Sequence, residues 1–285
     1  MNKRKVLITG ADGQLGRAVR ERFADDELIC TDVGDINITI LHRVQEFVQK
    51  YEPDAIINCA AYNDVDGAEL KKELAYAVNC IGPRNLAMAA NSVKAKLVHI
   101  STDYVFDGKR PITDIYEEND DKNPQSVYGC TKYNGENEIK RYITTYYIFR
   151  TAWLFGDGNN FVRKIMELGK KQDEVKVVYD QYGSPTYAND LADIIYQALE
   201  KKIPMGTYHA TNLGFTNWYD FTKEIFKQAG IQCRVIPVTS EELPRAAARP
   251  KNSMLAKGKI LGEDIEIASW EDALARYLEK EKNKI

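Results

Sequence analysis

The chain has 285 residues, enough for one large domain or two unequal ones, and 28% of them are charged, with a formal net charge of −3. This slightly acidic balance excludes a basic surface for nucleic acid, and no apolar run approaches the ~18 residues that a membrane-spanning helix requires. The five cysteines are odd in number and lack C-x-x-C spacing, so we expect buried thiols in a reducing, cytoplasmic compartment.

The first predicted strand leads directly into a glycine-rich turn. The apolar run Lys5-Val6-Leu7-Ile8-Thr9 is followed by Gly10-Ala11-Asp12-Gly13-Gln14-Leu15-Gly16 and a helical stretch to about Phe23. Glycines allow the backbone to approach a pyrophosphate closely, and the free N–H groups at the helix start bind its charge. This order of strand, turn and helix is typical of a dinucleotide-binding loop. We therefore predict cofactor contacts at Gly10, Gly13, Gln14, Leu15 and Gly16.

The second predicted strand ends at an acid, Asp32. An acid at this place accepts hydrogen bonds from the adenosine ribose and repels a 2′-phosphate, which favours NADH over NADPH. The alternative is a loop carboxylate without a ligand, and Arg17 or Arg20 nearby leaves NADPH open. Asp35 and Ile36, just beyond, are where enzymes with such a loop often contact the adenine.

Strands and helices go on alternating through the next part of the chain. The predicted elements are a helix over about 39–51, a third strand over 55–58, a helix over about 70–90 and a fourth strand over 96–101. Such alternation predicts an α/β fold with a doubly wound parallel sheet of the Rossmann type. The small residues Ala60 and Ala61, followed by Tyr62, come after the third strand, where they let a cofactor lie close to the backbone.

The fourth strand brings Ser101, Thr102 and Asp103 to the same edge of the sheet as the glycine turn. A Thr102 hydroxyl at that edge can hydrogen-bond a substrate carbonyl oxygen. The alternative for a threonine after a strand is a simple capping role.

Tyr128 and Lys132 lie four residues apart in a stretch, 126–142, whose composition predicts a helix. Residues at this spacing share one helix face. A fixed lysine charge beside the phenol favours tyrosinate and lowers the pKa of Tyr128 toward use as a general acid. Because the chain holds 17 tyrosines, the alternative is an accidental pair on a solvated helix face.

The remaining chain is predicted to finish the sheet and then form a smaller lobe. The elements are a fifth strand over 146–150, a helix over about 160–171 and a sixth strand over 175–179 that completes the sheet. Beyond these the pattern loosens into two helices with short strands. We assign 1–150 to the dinucleotide-binding domain, with a sheet continuing to about 180, and 151–285 mainly to a C-terminal α/β substrate lobe interleaved with it.

Two features of this lobe point to a ligand. Trp153 follows the fifth strand, where an indole can stack on a base or a sugar, with burial in the core as the alternative. Arg249 and Asn252 belong to a compact basic loop, which either binds a diphosphate or is an ordinary solvated turn. The three histidines lie far apart in the sequence, so we predict no metal site.

Taken together, three motifs resemble those of an extended short-chain dehydrogenase/reductase. They are G-x-x-G-x-x-G at 10–16, Ser-Thr-Asp at 101–103 and Tyr-x-x-x-Lys at 128–132. Four further runs, STDYVFDG at 101–108, RTAWLFG at 150–156, DQYGSPT at 180–186 and RPKNS at 249–253, resemble the dTDP-4-dehydrorhamnose reductase family. The resemblance spans nearly the whole chain.

The resemblance implies reduction of the 4-keto group of dTDP-4-dehydro-L-rhamnose by NADH or NADPH, which makes dTDP-L-rhamnose for cell-wall and surface polysaccharides. It implies that Tyr128 donates the proton, that Lys132 holds the nicotinamide ribose and tunes Tyr128, and that Thr102 orients the carbonyl. The residues that it places at the nucleotide sugar are Thr102, Asp103, Trp153, Arg249 and Asn252.

Some members of the family dimerise through magnesium held by carboxylates, but the corresponding positions here hold Arg17 and Asn189. We therefore expect a monomer or a weak homo-oligomer. The alternative functions are a related nucleotide-sugar reductase or epimerase and a non-catalytic regulatory subunit with the same fold. A 4,6-dehydratase would need Thr-Asp-Glu, whereas Tyr104 follows Asp103 here.

Overall fold

Strands and helices alternate through residues 3–283, the part of the chain that the computed structural model describes. The strands are β1 (Lys5–Thr9), β2 (Glu27–Thr31), β3 (Ala55–Asn58), β4 (Lys96–Thr102), β5 (Tyr146–Thr151), β6 (Leu154–Phe155), β7 (Glu174–Val178), β8 (Tyr182–Gly183), β9 (Thr186–Tyr187), β10 (Gly206–His209), β11 (Thr216–Asn217), β12 (Arg234–Val238) and β13 (Asn252–Ser253). The helices are α1 (Gln14–Arg22), α2 (Leu41–Tyr51), α3 (Val65–Leu70), α4 (Lys72–Tyr76), α5 (Gly82–Ser92), α6 (Val127–Tyr142), α7 (Phe161–Gly169), α8 (Ala188–Lys201), α9 (Trp218–Ala229), α10 (Gly258–Leu261) and α11 (Trp270–Lys282). None of the helices within these residues combines the length and apolar composition needed to cross a membrane.

Six parallel strands form the main sheet in the order β10-β5-β4-β3-β1-β2. Side chains alternate along each strand, so Val6 and Ile8 join the core covered by α1 and α8, while Leu7 joins the core covered by α2, α5 and α6. Helices therefore cover both faces, and the predicted Rossmann-type doubly wound fold is confirmed.

The strand order reverses between β1 and β3, because β2 follows β1 in the chain but pairs on its other side. In doubly wound sheets, ligands bind outside the carboxyl ends of the strands at such a switch point. This topology places the candidate site where the glycine turn leaves β1 and where β3 and β4 end.

The prediction that a sixth strand over 175–179 completes the main sheet is wrong. β7 pairs with β12 in a separate two-stranded sheet, and β10 takes the sixth place beside β5. A strand buried on both faces of a parallel sheet is apolar throughout, whereas Lys176 lies exposed between the buried Val175 and Val177. The alternating pattern of β7 fits a sheet with one exposed face.

The single helix predicted over about 70–90 is also corrected. The structure has α3, α4, a π-helical turn (Ala77–Ile81) and α5 in this region. Pro83 has no N–H for the carbonyl of Asn79 four residues earlier, so the α-helical ladder cannot continue there. The side chain of Asn79 in this turn accepts the Tyr62 N–H at 2.8 Å and donates to Thr131 Oγ1 at 3.2 Å.

A third apolar cluster forms the core of the smaller C-terminal lobe, in which α7, α9 and α11 pack together with β7. A three-stranded sheet in the order β11-β8-β13 lies in the same lobe. Because α8 and β10 return to the main sheet after β9, the lobe is interleaved with the larger unit. The division at residue 150 stays a prediction.

Candidate active site

An elongated cleft runs along the carboxyl ends of the main-sheet strands. A cavity of about 290 Å³ is lined by Gly10, Asp32 and Ile36. A second cavity, of about 350 Å³, is lined by Tyr128 and Lys132 among others. The two share the lining residues Gly13, Cys59, Ala60, Ala61 and Asn63. A cleft that crosses the glycine turn in this way suits a dinucleotide, with its adenosine in the first cavity and its nicotinamide in the second.

The glycine turn fits a pyrophosphate. Gly10 adopts a φ of +65°, and a Cβ on it would lie 2.7 Å from Ala60 N, so only glycine fits between the turn and the end of β3. Gly13 provides no side-chain cap for α1, and Gln14 and Leu15 line the second cavity with it. The Gln14 Oε1 atom is buried without a hydrogen-bond partner in the structure. These unpaired groups are what a bound ligand would satisfy.

Three of the predicted cofactor residues lie outside the linings of both cavities. Gly16 packs against the backbone of the glycine turn itself. Asp35 uses its carboxylate to accept the Asp32 N–H at 2.9 Å, and Tyr62 has both backbone groups bound by a buried asparagine side chain. Direct contact between these three residues and a cofactor stays a prediction.

Asp32 stands at the end of β2 with its carboxylate accepting the Asp12 N–H at 3.2 Å. The Arg20 Nη1 atom lies 3.1 Å from Asp12 Oδ1, which holds that guanidinium near the same rim. Arg17 donates to the carbonyls of Asp12 and Asp157, so both terminal nitrogens of its guanidinium are hydrogen-bonded to the surrounding loops. An acid and an arginine thus both stand near the end of the cleft where the adenosine ribose is predicted to bind.

Thr102, Tyr128 and Lys132 come together in the 350 Å³ cavity. Thr102 is the last residue of β4, and Tyr128 and Lys132 lie one turn apart on α6. Ser126 begins this helix by accepting the Gly129 N–H at 3.1 Å, which fixes the backbone around Tyr128. The ring of Tyr104 packs edge-on against that of Tyr128, with 5.4 Å between their centroids.

The predicted lowering of the Tyr128 pKa by Lys132 is wrong for this structure. Burial raises the pKa of Tyr128 above its ordinary value, the hydrogen bond with Thr102 opposes the rise, and the charge of Asp103 adds to it. Desolvation of a phenolate thus outweighs the favourable contacts, as it does for acids in apolar sites. The phenol therefore keeps its proton at neutral pH, which is the form that a proton donor requires.

Lys132 is 2% exposed, and its ammonium donates to the Ile100 carbonyl and lies 3.5 Å from His99 Nε2. Burial lowers the pKa of Lys132 to about 8, and the carboxylate of Glu136 one turn later opposes the fall. The same burial, with the charge of Lys132, holds the pKa of His99 well below its ordinary value. Lys132 is thus the cation of this cluster near neutral pH.

A buried ion pair that the sequence motifs did not reveal lies behind this cluster. The guanidinium of Arg150 on β5 binds the Glu136 carboxylate through Nε at 2.8 Å and Nη2 at 2.7 Å, and neither side chain is exposed. Ser101 Oγ donates to the same carboxylate at 2.6 Å. The pair therefore joins the ends of β4 and β5 to the helix that carries Tyr128 and Lys132. An arginine inside an apolar strand was the signal available in the sequence.

Asp103 and Trp153 also line the 350 Å³ cavity. The Asp103 carboxylate accepts hydrogen bonds from Thr102 Oγ1 at 2.9 Å and from Ser253 Oγ. Burial raises the pKa of Asp103 to about 6, against these hydrogen bonds. Asp103 therefore holds Thr102 in place from behind, and its direct contact with a sugar stays a prediction.

A larger cavity, of about 660 Å³, adjoins the site and shares Tyr104 with it. Its basic lining residues are Lys109, Arg110, Arg249 and Lys251. Arg249 Nη2 already lies 2.8 Å from Asp66 Oδ2, so this arginine is paired rather than solvated. An anionic ligand in this cavity would compete with the Asp66 carboxylate for the Arg249 guanidinium.

The structure corrects the prediction for Asn252. Its side chain is 1% exposed and donates to the carbonyls of Pro111 at 2.9 Å and Asp114 at 2.8 Å, while Oδ1 accepts the Met254 N–H. All of its main hydrogen-bonding capacity is used within the protein. Asn252 therefore anchors the loop that follows β4 instead of reaching a ligand.

Known proteins resemble this chain over nearly its whole length. A family model described as "RmlD substrate binding domain" matches residues 4–283. The spore coat polysaccharide biosynthesis protein SpsK of Bacillus subtilis is 37% identical over 279 residues, which cover 97% of each chain. A crystal structure of a dTDP-4-dehydrorhamnose reductase, RfbD ortholog, from Clostridium acetobutylicum has a TM-score of 0.94 and 47% identity, covering 98% of this chain and 99% of that one.

The crystal structure of the Bacillus anthracis dTDP-4-dehydrorhamnose reductase, in complex with NADP, also has a TM-score of 0.94, with 42% identity over 98% of this chain and 99% of that one. The resemblance read from the motifs is thereby confirmed. The chain belongs to the RmlD family, that of the dTDP-4-dehydrorhamnose reductases.

Proposed function

We propose that this chain catalyses the NAD(P)H-dependent reduction of the 4-keto group of dTDP-4-dehydro-L-rhamnose to dTDP-L-rhamnose. The observation that carries the proposal is the convergence of Thr102, Tyr128 and Lys132 on one cavity that is continuous with the glycine turn. The reaction adds a hydride to C4 of the sugar and a proton to its oxygen, so the site must accommodate a hydride source beside a proton donor.

The bound nicotinamide cofactor supplies the hydride, and the protein supplies position and proton. Tyr128 holds the proton that passes to the C4 oxygen. Thr102 donates to Asp103 and lines the same cavity as Tyr128, where its hydroxyl would orient the carbonyl. Lys132 would hold the cofactor ribose, and its charge would stabilise the tyrosinate that remains after proton transfer. Thr102, Tyr128 and Lys132 line one cavity, so the protein holds these groups close together before the substrate binds.

We assign the dTDP end of the substrate to the 660 Å³ cavity, because it adjoins the site at Tyr104 and is lined by four basic side chains. A diphosphate there would take the Arg249 guanidinium from Asp66. The thymine and the sugar would then lie on opposite sides of this arginine, with the sugar toward Tyr128.

The direct test is to mix the protein with NADH and dTDP-4-dehydro-L-rhamnose and to follow the absorbance of the reduced cofactor. We expect stoichiometric oxidation of NADH and a product that NMR identifies as dTDP-L-rhamnose. dTDP-glucose, which has no ketone, serves as the control and should leave NADH unchanged. An epimeric 6-deoxyhexose would instead support a related reductase. No oxidation of NADH, or of NADPH in a parallel sample, would support a regulatory subunit.

Replacing Asp32 tests the cofactor preference. Asp32→Ala removes the carboxylate that accepts ribose hydroxyls and repels a 2′-phosphate, while Arg20 stays nearby. We expect the ratio of kcat/KM for NADH to that for NADPH to fall about tenfold, which corresponds to ~1.4 kcal/mol. Asp25→Ala, an exposed acid away from the cleft, is the matched control. An unchanged ratio in Asp32→Ala would show that this carboxylate does not contact the ribose.

The pH dependence tests the role of Lys132. An ammonium with a pKa of about 8 loses its proton as the pH rises through that value, so kcat/KM for NADH should fall above about pH 8 instead of near 10. Lys132→Arg keeps a charge throughout this range, so its profile should be flat, although its activity is lower. The same alkaline fall in Lys132→Arg would assign the titration to another group.

A further inference from the structure

The three-stranded sheet β11-β8-β13 supports the sugar end of the cleft. Each of its strands brings one residue against the site: Trp218 directly after β11, Gly183 in β8 and Ser253 in β13. Ser253 donates to Asp103, and the other two contact Trp153. The proposed reaction itself assigns no role to Gly183 or Trp218.

The indole of Trp153 is held tightly by these two residues. The ring of Trp218 stacks on it with 3.7 Å between centroids and 14° between planes. An added Cβ at Gly183 would lie 2.8 Å from the Trp153 Cε2 atom, so any larger residue at 183 would displace the indole. Trp218 is in turn fixed by Phe161, whose ring centroid is 4.4 Å away. Trp153 therefore packs against the core of the C-terminal lobe and still lines the cavity that contains Tyr128.

The backbone of Trp153 also shows that its position is imposed by the surroundings. Its φ of +49° lies in the left-handed region, which a bulky L residue seldom adopts. Such conformations persist where the surrounding contacts fix them, and they cluster at ligand sites. Here the contacts are the stack with Trp218 and the hydrogen bond from Thr186 N to the Trp153 carbonyl at 3.2 Å.

We propose that Trp218 and Gly183 are positioning residues that hold the Trp153 indole as the wall against which the sugar ring of the substrate is bound. This inference rests on the proposed function, because it takes the ligand of the cavity to be a 6-deoxy sugar attached to a nucleotide. The pair of residues determines affinity for the sugar, not for the nucleotide or the cofactor. Neither touches the reacting atoms.

Calorimetric titration of two ligands tests the inference, since dTDP-L-rhamnose carries the sugar and dTDP lacks it. In Trp218→Leu, the loss of an aromatic stack should raise the Kd of dTDP-L-rhamnose about tenfold and leave the Kd of dTDP unchanged. Gly183→Ala removes no side chain but displaces the Trp153 indole, so it should also raise the Kd of dTDP-L-rhamnose. In both variants KM for the keto sugar should rise while KM for NADH stays constant.

Trp270→Phe is the matched control, because it also removes one of the three indoles but lies against Phe221 in the lobe core. It should leave both Kd values unchanged, and circular dichroism should show that all variants are folded. Equal weakening of dTDP and dTDP-L-rhamnose in Trp218→Leu and Gly183→Ala, or weakening of neither, overturns the inference alone. Failure of the unaltered enzyme to bind dTDP-L-rhamnose overturns it together with the proposed function.

Discussion

Replacing Tyr128 with phenylalanine should lower kcat by about two to four orders of magnitude, the range typical for loss of a positioned general acid. The variant removes one oxygen from a partly buried ring and leaves the glycine turn, Asp32 and Lys132 in place. Burial raises the pKa of Tyr128, so at neutral pH the phenol is protonated and loses this proton only to a stronger base. The alkoxide that forms at C4 is such a base, because it is far more basic than phenolate.

Single-turnover kinetics and NADH titration measure the two consequences of Tyr128→Phe separately. The Kd of NADH should stay within about twofold of the unaltered value, because little binding surface is removed, while the chemical step becomes slow. Tyr104→Phe makes the same change in the ring that packs against Tyr128 and should have a much smaller effect, since Tyr104 does not share a helix face with Lys132. If Tyr104→Phe were the slower variant, the acid would be Tyr104.

The elements that form the candidate cofactor half of the cleft were largely predictable, because they depend on local sequence. The glycine turn, the acid after β2 and the helix over 126–142 each follow from residues close together in the chain, and the structure has α6 at Val127–Tyr142. The parallel sheet then brings Thr102 and Tyr128 to one edge, because the carboxyl ends of its strands all lie there. Local pattern and sheet topology together were sufficient for this part.

Other features depend on contacts between distant residues, and the local pattern did not reveal them. β10 takes the sixth place in the main sheet because Tyr208 and its neighbours pack into a core shared with α8, and this core is not apparent in the four-residue strand. The pairing of Arg249 with Asp66 joins residues 183 positions apart. Nothing near either residue in the sequence indicates its partner.

The pKa of Tyr128 shows a different limit of sequence reasoning. The spacing of Tyr128 and Lys132 correctly placed both on α6, yet the sign of the pKa shift depends on how much water surrounds the phenol. Burial is a property of the whole fold, and here its effect on the pKa outweighs that of the hydrogen bond with Thr102. Spacing on a helix therefore predicted which groups meet but not their ionisation.

Removing the buried arginine should have the largest effect on stability. Arg150→Met is expected to lower the free energy of unfolding by about 3–5 kcal/mol, because the Glu136 carboxylate stays buried without its main counter-charge. Lys140, with Nζ at 3.5 Å and its side chain 34% exposed, compensates only in part. Urea unfolding measures the difference. Arg276→Met, which breaks a more exposed pair with Asp190, should cost no more than about 1 kcal/mol.

The pH dependence separates an unpaired charge from lost packing. In the unaltered chain burial would raise the pKa of Glu136, but the bound Arg150 holds this pKa below its ordinary value. The ionised Glu136 therefore stabilises the fold at pH values above its unfolded-state pKa, and this stabilisation is lost as the pH falls through the folded-state pKa. In Arg150→Met the pKa of the buried Glu136 should rise above its unfolded-state value. The deficit in the free energy of unfolding should therefore shrink as the pH is lowered from about 7 to about 5. The double variant Arg150→Met with Glu136→Leu should recover part of the deficit at about pH 7, since neither charge of this ion pair remains buried. If the double variant were no more stable than Arg150→Met, the loss would come from the packing of the arginine stem and not from the charge of Glu136.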